Sequence, residues 1–170
     1  MKKRWSSLVI FLTTSVAFCL SLADRHPFTA LKESDLIVAG VATGMTIVPY
    51  PNVPTNSAGV RSHGRLNVRV KRTVIPADAK VADTLEIDYG YNPGDYSWKA
   101  YKEKELVYIL RAKAKDTNGV ITRAQALRFW SFAYRPDDLD RVLELRSQLQ
   151  AGADPKSLTN DIPKAVFSAQ

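Results

Sequence analysis

The chain has 170 residues, with a single cysteine and 24 Lys or Arg against 17 Asp or Glu. This length is enough to bury a core as one domain, and one cysteine excludes both a disulfide framework and a cysteine-ligated zinc site. Three basic residues lie in the first 23, so the rest has a net charge of 21 − 17 = +4. That excess is too small to indicate a nucleic-acid-binding domain.

The first 23 residues have the organisation of a cleaved signal peptide. A basic start, Lys2 to Arg4, precedes an apolar run from Leu8 to Leu20, and Ser21-Leu22-Ala23 supplies the small residues that signal peptidase requires. The run is too short and too rich in hydroxyl residues to span a bilayer core of about 30 Å, so we expect no transmembrane segment in the mature chain. The signal peptide would direct export to the periplasm or the medium, and cleavage after Ala23 would remove Cys19 with it.

The next part of the chain is patterned as β structure. Leu36 to Val48 is rich in β-branched residues, and Gly40 and Gly44 within it indicate bulges or strong coiling of a strand. Pro49 to Gly64 has three prolines and no period, which predicts an exposed loop. A second strand is predicted from Arg65 to Ile75. Its residues alternate as far as Lys71, and three of them are predicted to face the core: Leu66, Val68 and Val70.

Two further strands follow, and then a segment that fits either a strand or a helix. Thr84 to Tyr89 alternates apolar and acidic residues, and Glu105 to Ala112 is apolar on both faces, which predicts a central strand. After the turn signal Asn118-Gly119, we expect Val120-Ile121 and Leu127 to Tyr134 to form a last hairpin. Thr122 to Ala133 also fits a helix, but its aromatic residues favour a strand.

A helix is predicted from Pro136 to Gln150. Proline suits the first helical position, and aspartates in the first turn interact favourably with the helix dipole. Its apolar stripe is expected to pack on the β structure: Leu139, Val142, Leu143 and Leu149, with Arg146 at the same spacing. Residues 153–170 are weakly patterned, either a loose tail or one with a short helix around Lys164 to Phe167.

Together these elements predict a mainly β fold, a five-stranded OB-like antiparallel barrel with a C-terminal α-helix, spanning residues 24–152. The strand sequences resemble those of the tissue-inhibitor-of-metalloproteinases-like, or netrin-like, domains of exported bacterial proteins. Four segments carry this resemblance: Ser34 to Ala42, Val68 to Ile75, Thr84 to Ile87 and Glu105 to Arg111. The resemblance implies the same OB-like barrel with a flanking helix.

The resemblance does not extend to the inhibitory chemistry. The metazoan inhibitors chelate the protease zinc through a mature N-terminal cysteine, whereas the predicted mature terminus here is Asp24-Arg25-His26. A free amine, two amide nitrogens and the His26 imidazole would instead suit Cu(II) or Ni(II), an alternative to the absence of any metal site.

Two groups of residues are candidates for ligand binding. The loop from Asp88 to Tyr101 has five aromatic residues around a Pro-Gly turn, and three of them are predicted to form a recognition patch: Tyr91, Tyr96 and Trp98. Arg65, Arg69 and Lys71 form a basic row on the outer face of the second strand, which would attract an anionic ligand. The structural alternatives are aromatic residues that cap the barrel and charges that only solvate a strand.

The sequence contains no recognisable catalytic motif, and of its two histidines His26 lies near the predicted mature terminus and His63 in the predicted loop. We therefore expect no enzyme, no cofactor and no metal, but an exported non-catalytic binding or accessory module of the cell envelope. It is expected to be a monomer whose partner is an envelope protein or polysaccharide; export disfavours nucleic acid. The alternatives are a protease inhibitor of the metalloproteinase-inhibitor-like type lacking the N-terminal cysteine, and a hydrolase with no recognisable motif.

Overall fold

The computed structural model describes residues 27–49, 62–90, 97–126, 132–155, 157–158 and 163–166. The predicted signal peptide, most of the loop after β1 and much of the C-terminal tail lie outside these residues. The strands are β1 (Leu36–Pro49), β2 (Ser62–Ile75), β3 (Val81–Gly90), β4 (Glu105–Lys115), β5 (Ile121–Ala126) and β6 (Ala133–Tyr134). The helices are α1 (Pro27–Glu33), α2 (Ser97–Ala100) and α3 (Leu139–Gln150), and a 3-10 turn (Pro136–Asp138) leads into α3.

Five strands close into a barrel in the order β1-β2-β3-β5-β4, with β4 pairing back to β1. The predicted OB-like barrel with a C-terminal helix is therefore confirmed. Four of the pairings are antiparallel, but β5 inserts between β3 and β4 and runs parallel to β3. β6 is a short additional strand on β4.

The barrel core is filled by the inward side of each alternating strand. Leu66 and Val68 of β2 are buried as predicted, and Val70 is half-buried against the same core. β3 contributes Leu85 and Ile87, while β4 is buried on both faces from Leu106 to Leu110 because helices cover its outer side. This is the central position that the unbroken apolar run predicted.

Gly40 and Gly44 lie at irregularities of β1, as the sequence predicted. The register with β2 shifts between Ala39 and Gly40 and again between Ala42 and Gly44. A Cβ atom on Gly40 would lie 2.7 Å from the carbonyl oxygen of Arg69, so no other residue fits there without a backbone shift.

The predicted last hairpin is wrong in its pairing. The Asn118-Gly119 turn joins β4 to β5, and the Asp116 carboxylate accepts hydrogen bonds from the amides of Asn118 and Val120 at 2.8 and 2.9 Å. β6 then pairs with β4, at Val107 and Tyr108, and no described residue of β5 pairs with it. Within the ambiguous segment from Thr122 to Ala133, the residues to Ala126 are strand, and residues 127–131 lie outside the described part.

A layer of two helices packs on the outer side of β1 and β4. The buried residues of α3 are Leu139, Val142, Leu145 and Leu149. Leu145 was not predicted, and Leu143 is only half-buried because it lies at the margin of the contact. No sequence pattern predicted α1, whose Phe28 and Leu31 pack against α3.

Arg146 of α3 was placed in the apolar stripe, but its guanidinium anchors the helix by hydrogen bonds. Its Nε donates to the Ser34 hydroxyl at 3.1 Å and a terminal nitrogen donates to the Ser34 carbonyl at 2.9 Å. Desolvation lowers the pKa of Arg146, an effect that the charge of Asp35 partly opposes. Part of the described tail also packs on the domain. Leu158 is buried, and the Val166 amide donates to the Ala133 carbonyl at 2.8 Å, with no helix at 163–166.

Candidate binding face

The helices leave one side of the barrel to polar side chains. They pack on the outer residues of β1 and β4, such as Ile37, Val107 and Ile109, and among the described residues of β2 this apolar contact includes Val74 and Ile75. The outward residues of β2, β3 and β5 from Arg65 to Lys71, Thr84 to Asp88 and Arg123 to Gln125 are mostly charged. We call this surface the polar barrel face. In OB-type barrels the faces of strands 2 and 3 commonly bind ligands, so it is the natural candidate site.

A buried carboxylate, Asp88 of β3, organises one end of this face. Its side chain is 6% exposed; it accepts a hydrogen bond from Arg65 Nε at 2.7 Å and one from Lys113 Nζ at 3.2 Å. Burial alone would raise the pKa of Asp88, but the hydrogen bonds and charges of Arg65 and Lys113 outweigh it and hold the pKa below its usual value. Asp88 is therefore an ionised structural group at neutral pH, without a proton to donate.

Glu86, two residues before Asp88, extends the network across the face. Its carboxylate lies 3.0 Å from Arg123 Nε of β5 and 3.5 Å from a terminal nitrogen of Arg65. The hydrogen bond to Asp88 is the main reason that the pKa of Arg65 is raised. Arg65 thus contacts two carboxylates and is not available to a ligand as an unneutralised charge.

The other two members of the predicted basic row remain available. Arg69 and Lys71 are exposed, and neither makes an ion pair or side-chain hydrogen bond in the described part of the chain. Arg72, next along β2, is likewise exposed. The polar barrel face therefore has a neutralised end at Arg65 and a cationic end at Arg69 and Lys71.

The predicted aromatic patch lies mostly outside the described residues. Tyr91 and Tyr96 are not among them, and Trp98 is described only as part of the backbone of α2. The two flanking aromatics of the loop point to the core: Tyr89 is buried with its ring 5.5 Å from that of Phe132, and Tyr101 packs half-buried against the same cluster. The three predicted patch residues stay a prediction, as does the Asp24-Arg25-His26 terminus, which is also outside the described part.

The described residues include no group of three or more His, Cys, Asp or Glu placed to hold a metal ion. No helix among them is both long and apolar enough to cross a membrane. The acidic residues of the network, Glu86 and Asp88, were visible in the sequence as the polar side of an alternating strand. Their partners on β4 and β5, Lys113 and Arg123, were not, because 25 and 37 residues separate them in the chain.

Comparison with known proteins does not assign a family to the chain. No protein-family model matches the chain, and no curated protein matches it.

Proposed function

We propose that the protein is an exported, non-catalytic binding module of the cell envelope, and that it binds an anionic envelope polymer at the cationic end of the polar barrel face. The observation that carries this proposal is the contrast along β2. Arg65 is neutralised by two carboxylates, whereas Arg69 and Lys71 on the same face are exposed and make no ion pair in the described residues.

The spacing of these charges favours an extended ligand. Residues two apart on one strand face are about 7 Å apart, so Arg69 and Lys71 would contact successive anionic groups of a polymer. Each such exposed contact contributes little alone, about 0.2–1 kcal/mol, and salt screens it. The proposed ligand class is a polysaccharide that carries phosphate or carboxylate groups.

The predicted aromatic patch enters the proposal as a second contact. Its loop leaves β3 at Gly90, which pairs with His63, and His63 is six residues along β2 from Arg69. At about 3.3 Å per residue the two regions lie about 20 Å apart along the strand. A small ligand could not reach both, but a polymer that runs along β2 could. We expect the aromatic contact to contribute more affinity than the basic one, because aromatic side chains offer large contact area at low entropic cost.

The resemblance to tissue-inhibitor-of-metalloproteinases-like domains supports an interaction module on an OB-like barrel. It remains part of the proposal, with protease inhibition as the rival function. Inhibition assays against zinc proteases test that rival, and turnover of a panel of esters, glycosides and phosphates tests the hydrolase alternative.

The deciding experiment is a pull-down of anionic polysaccharide from envelope extracts, followed by affinity measurements at several salt concentrations. The double variant Arg69→Ala with Lys71→Ala should weaken binding about tenfold at low salt and flatten its salt dependence. A control that removes the same charge elsewhere, Lys32→Ala with Lys164→Ala, should bind like the unaltered protein.

The aromatic variant Tyr91→Ala with Trp98→Ala is measured beside them and should lose more affinity than the basic variant. Unchanged affinity and salt dependence in the basic variant would refute the proposed site. If the basic variant abolishes binding while the aromatic variant leaves it intact, the aromatic contact is wrong and the basic one stands.

A further inference from the structure

β1 is longer than the part of it that pairs with β4. From Leu36 to Val41 it lies between β2 and β4, but from Ala42 to Pro49 it pairs with β2 alone. On the β4 side the Glu103 amide donates a hydrogen bond to the Ala42 carbonyl at 3.2 Å. No described strand lies beside residues 43–49 on that side, which we call the free β1 edge.

The free β1 edge has features that usually prevent strand edges from pairing only at its two ends, where the register is irregular at Gly44 and where Pro49 cannot donate a hydrogen bond. It contains no charged residue, and its Ile47 is 53% exposed, the one exposed large hydrophobic side chain among the described residues. The far end of β2, beyond its pairing with β3 at Arg69, offers a contrast because it carries exposed Lys71 and Arg72. Charges at an edge discourage pairing with another chain, so charged residues protect the end of β2 but not the free β1 edge.

We propose that the free β1 edge pairs antiparallel with the same edge of a second copy of the chain, forming a two-fold dimer. The edge is self-complementary when Thr46 lies opposite Thr46 of the other copy. Met45 and Ile47 share one face of β1, since they pair with Leu66 and Gly64 of β2. In this register Ile47 of each copy lies opposite Met45 of the other, and both exposed isoleucines become covered.

Electrostatics favours a second copy over a charged partner at this edge. Of the outward cations of β2, the nearest to Thr46 is Arg65, which pairs with it across β1 and β2 and is neutralised by Asp88 and Glu86. On the β4 side, exposed Lys102 and Lys104 flank Glu103 at the start of the edge, and Glu103 lies 4.0 Å from Lys102 and offsets part of their charge. Arg69 is four residues further along β2, about 13 Å, which exceeds the screening length of roughly 8 Å at physiological salt. Two copies can therefore approach along β1 despite their excess of positive charge.

The seam is short, so the dimer is expected to be weak. Seven residues of edge cover less surface than the roughly 1,200 Å² of a typical stable interface. The dimer should therefore form as the protein concentration rises through the micromolar range. This proposal differs from the monomer that the sequence predicted. The dimer needs no ligand, so its test is independent of the polysaccharide proposal.

The first test is sedimentation of the ligand-free protein over about 1–500 µM, a range chosen to cover dissociation constants near the micromolar level. The unaltered protein should dimerise as its concentration rises. Ile47→Lys, which places a charge in the seam at an exposed position, should stay monomeric at every concentration. Gln125→Lys adds the same charge to an exposed position of β5 and should dimerise normally. A protein that stays monomeric throughout, or an Ile47→Lys variant that dimerises equally well, would overturn the proposal.

The second test uses disulfide cross-linking to determine which residues of the two copies lie opposite each other. Opposed residues of paired strands have Cβ atoms about 4.5–5.5 Å apart, so Thr46→Cys, in a background without Cys19, should form an intermolecular disulfide under mild oxidation. Gln125→Cys is the matched exposed control and should cross-link only slowly. Equal rates for the two cysteines would contradict the proposed seam, even if the protein dimerises.

Discussion

Asp88 offers the sharpest test of how the polar barrel face is held together. We expect Asp88→Asn, which keeps the size of the side chain but removes its charge, to destabilise the fold by about 1–3 kcal/mol. The short hydrogen bond from Arg65, whose side chain is 19% exposed, should supply most of this, since bonds to charged groups contribute about 1.5–3 kcal/mol. Lys113 is 49% exposed and can return to water, so its pair should contribute less than about 1 kcal/mol.

Double-mutant cycles in urea denaturation would separate the two partners. The coupling of Asp88 with Arg65, measured with alanine variants, should exceed its coupling with Lys113 by about threefold, following the ranges for buried and exposed pairs. Asp88→Asn should also show no change in the urea dependence of the unfolding free energy. If the Lys113 coupling is the larger, or if Asp88→Asn is more stable than the unaltered protein, the reasoning from burial and distance is wrong.

The unaltered protein and Asp88→Asn should also differ in how their unfolding free energy depends on pH, and the lowered pKa of Asp88 gives the sign of this difference. The pKa of Asp88 is lowered in the folded state relative to about 3.9 for an unfolded aspartate. Its stabilising contribution is therefore complete above that unfolded value and is lost as the pH falls through the lower folded pKa. The stability difference between the unaltered protein and Asp88→Asn should be constant from about pH 5 to 7 and shrink below about pH 4. A difference that stays constant through the acid range would contradict the lowered pKa.

Two further predictions concern packing, both measured as free energies of unfolding. Leu145→Ala should cost about 2–5 kcal/mol because Leu145 is fully buried between α3 and the barrel, and Leu143→Ala should cost about half as much or less. Equal losses would mean that Leu143 contributes as much as Leu145 to the contact between α3 and the barrel, as the stripe predicted from the sequence implies. Gly40→Ala should cost about 1–3 kcal/mol because its Cβ would collide with the Arg69 carbonyl and Val68; a neutral substitution would show that β1 is not held that closely.

The strands could be predicted because their two faces differ in polarity or because one run is apolar on both. Leu66 and Val68 alternate with polar or charged residues, and this period alone assigns them to the core. Gly40 and Gly44 likewise marked the irregular positions of β1. The parallel alignment of β5 with β3 depends on how a hairpin docks between distant strands, and no local pattern encodes that choice.

The missed features share the property that their partners are distant in sequence. α1 has only seven residues, and its Phe28 and Leu31 become a helical face only against α3. The site shows the same limit: the basic row was correctly placed on the outer face of β2, but nothing in the sequence distinguishes Arg65 from Arg69. The distinction comes from Asp88, 23 residues away, which pairs with one of them and not the other.

The insertion of β5 between β3 and β4 has a consequence for how the molecule folds. The pairing of β1 with β4 joins residues that are 72 positions apart in the chain, such as Ile37 and Ile109. The barrel is not closed until Ile121 to Ala126 pairs with β3 beside Ile87. Contacts of such separation slow folding, because the chain loses much entropy before they form. A fragment that ends before Ile121 lacks β5 and cannot form a closed barrel. It should collapse without acquiring the protection from amide exchange that a complete barrel gives.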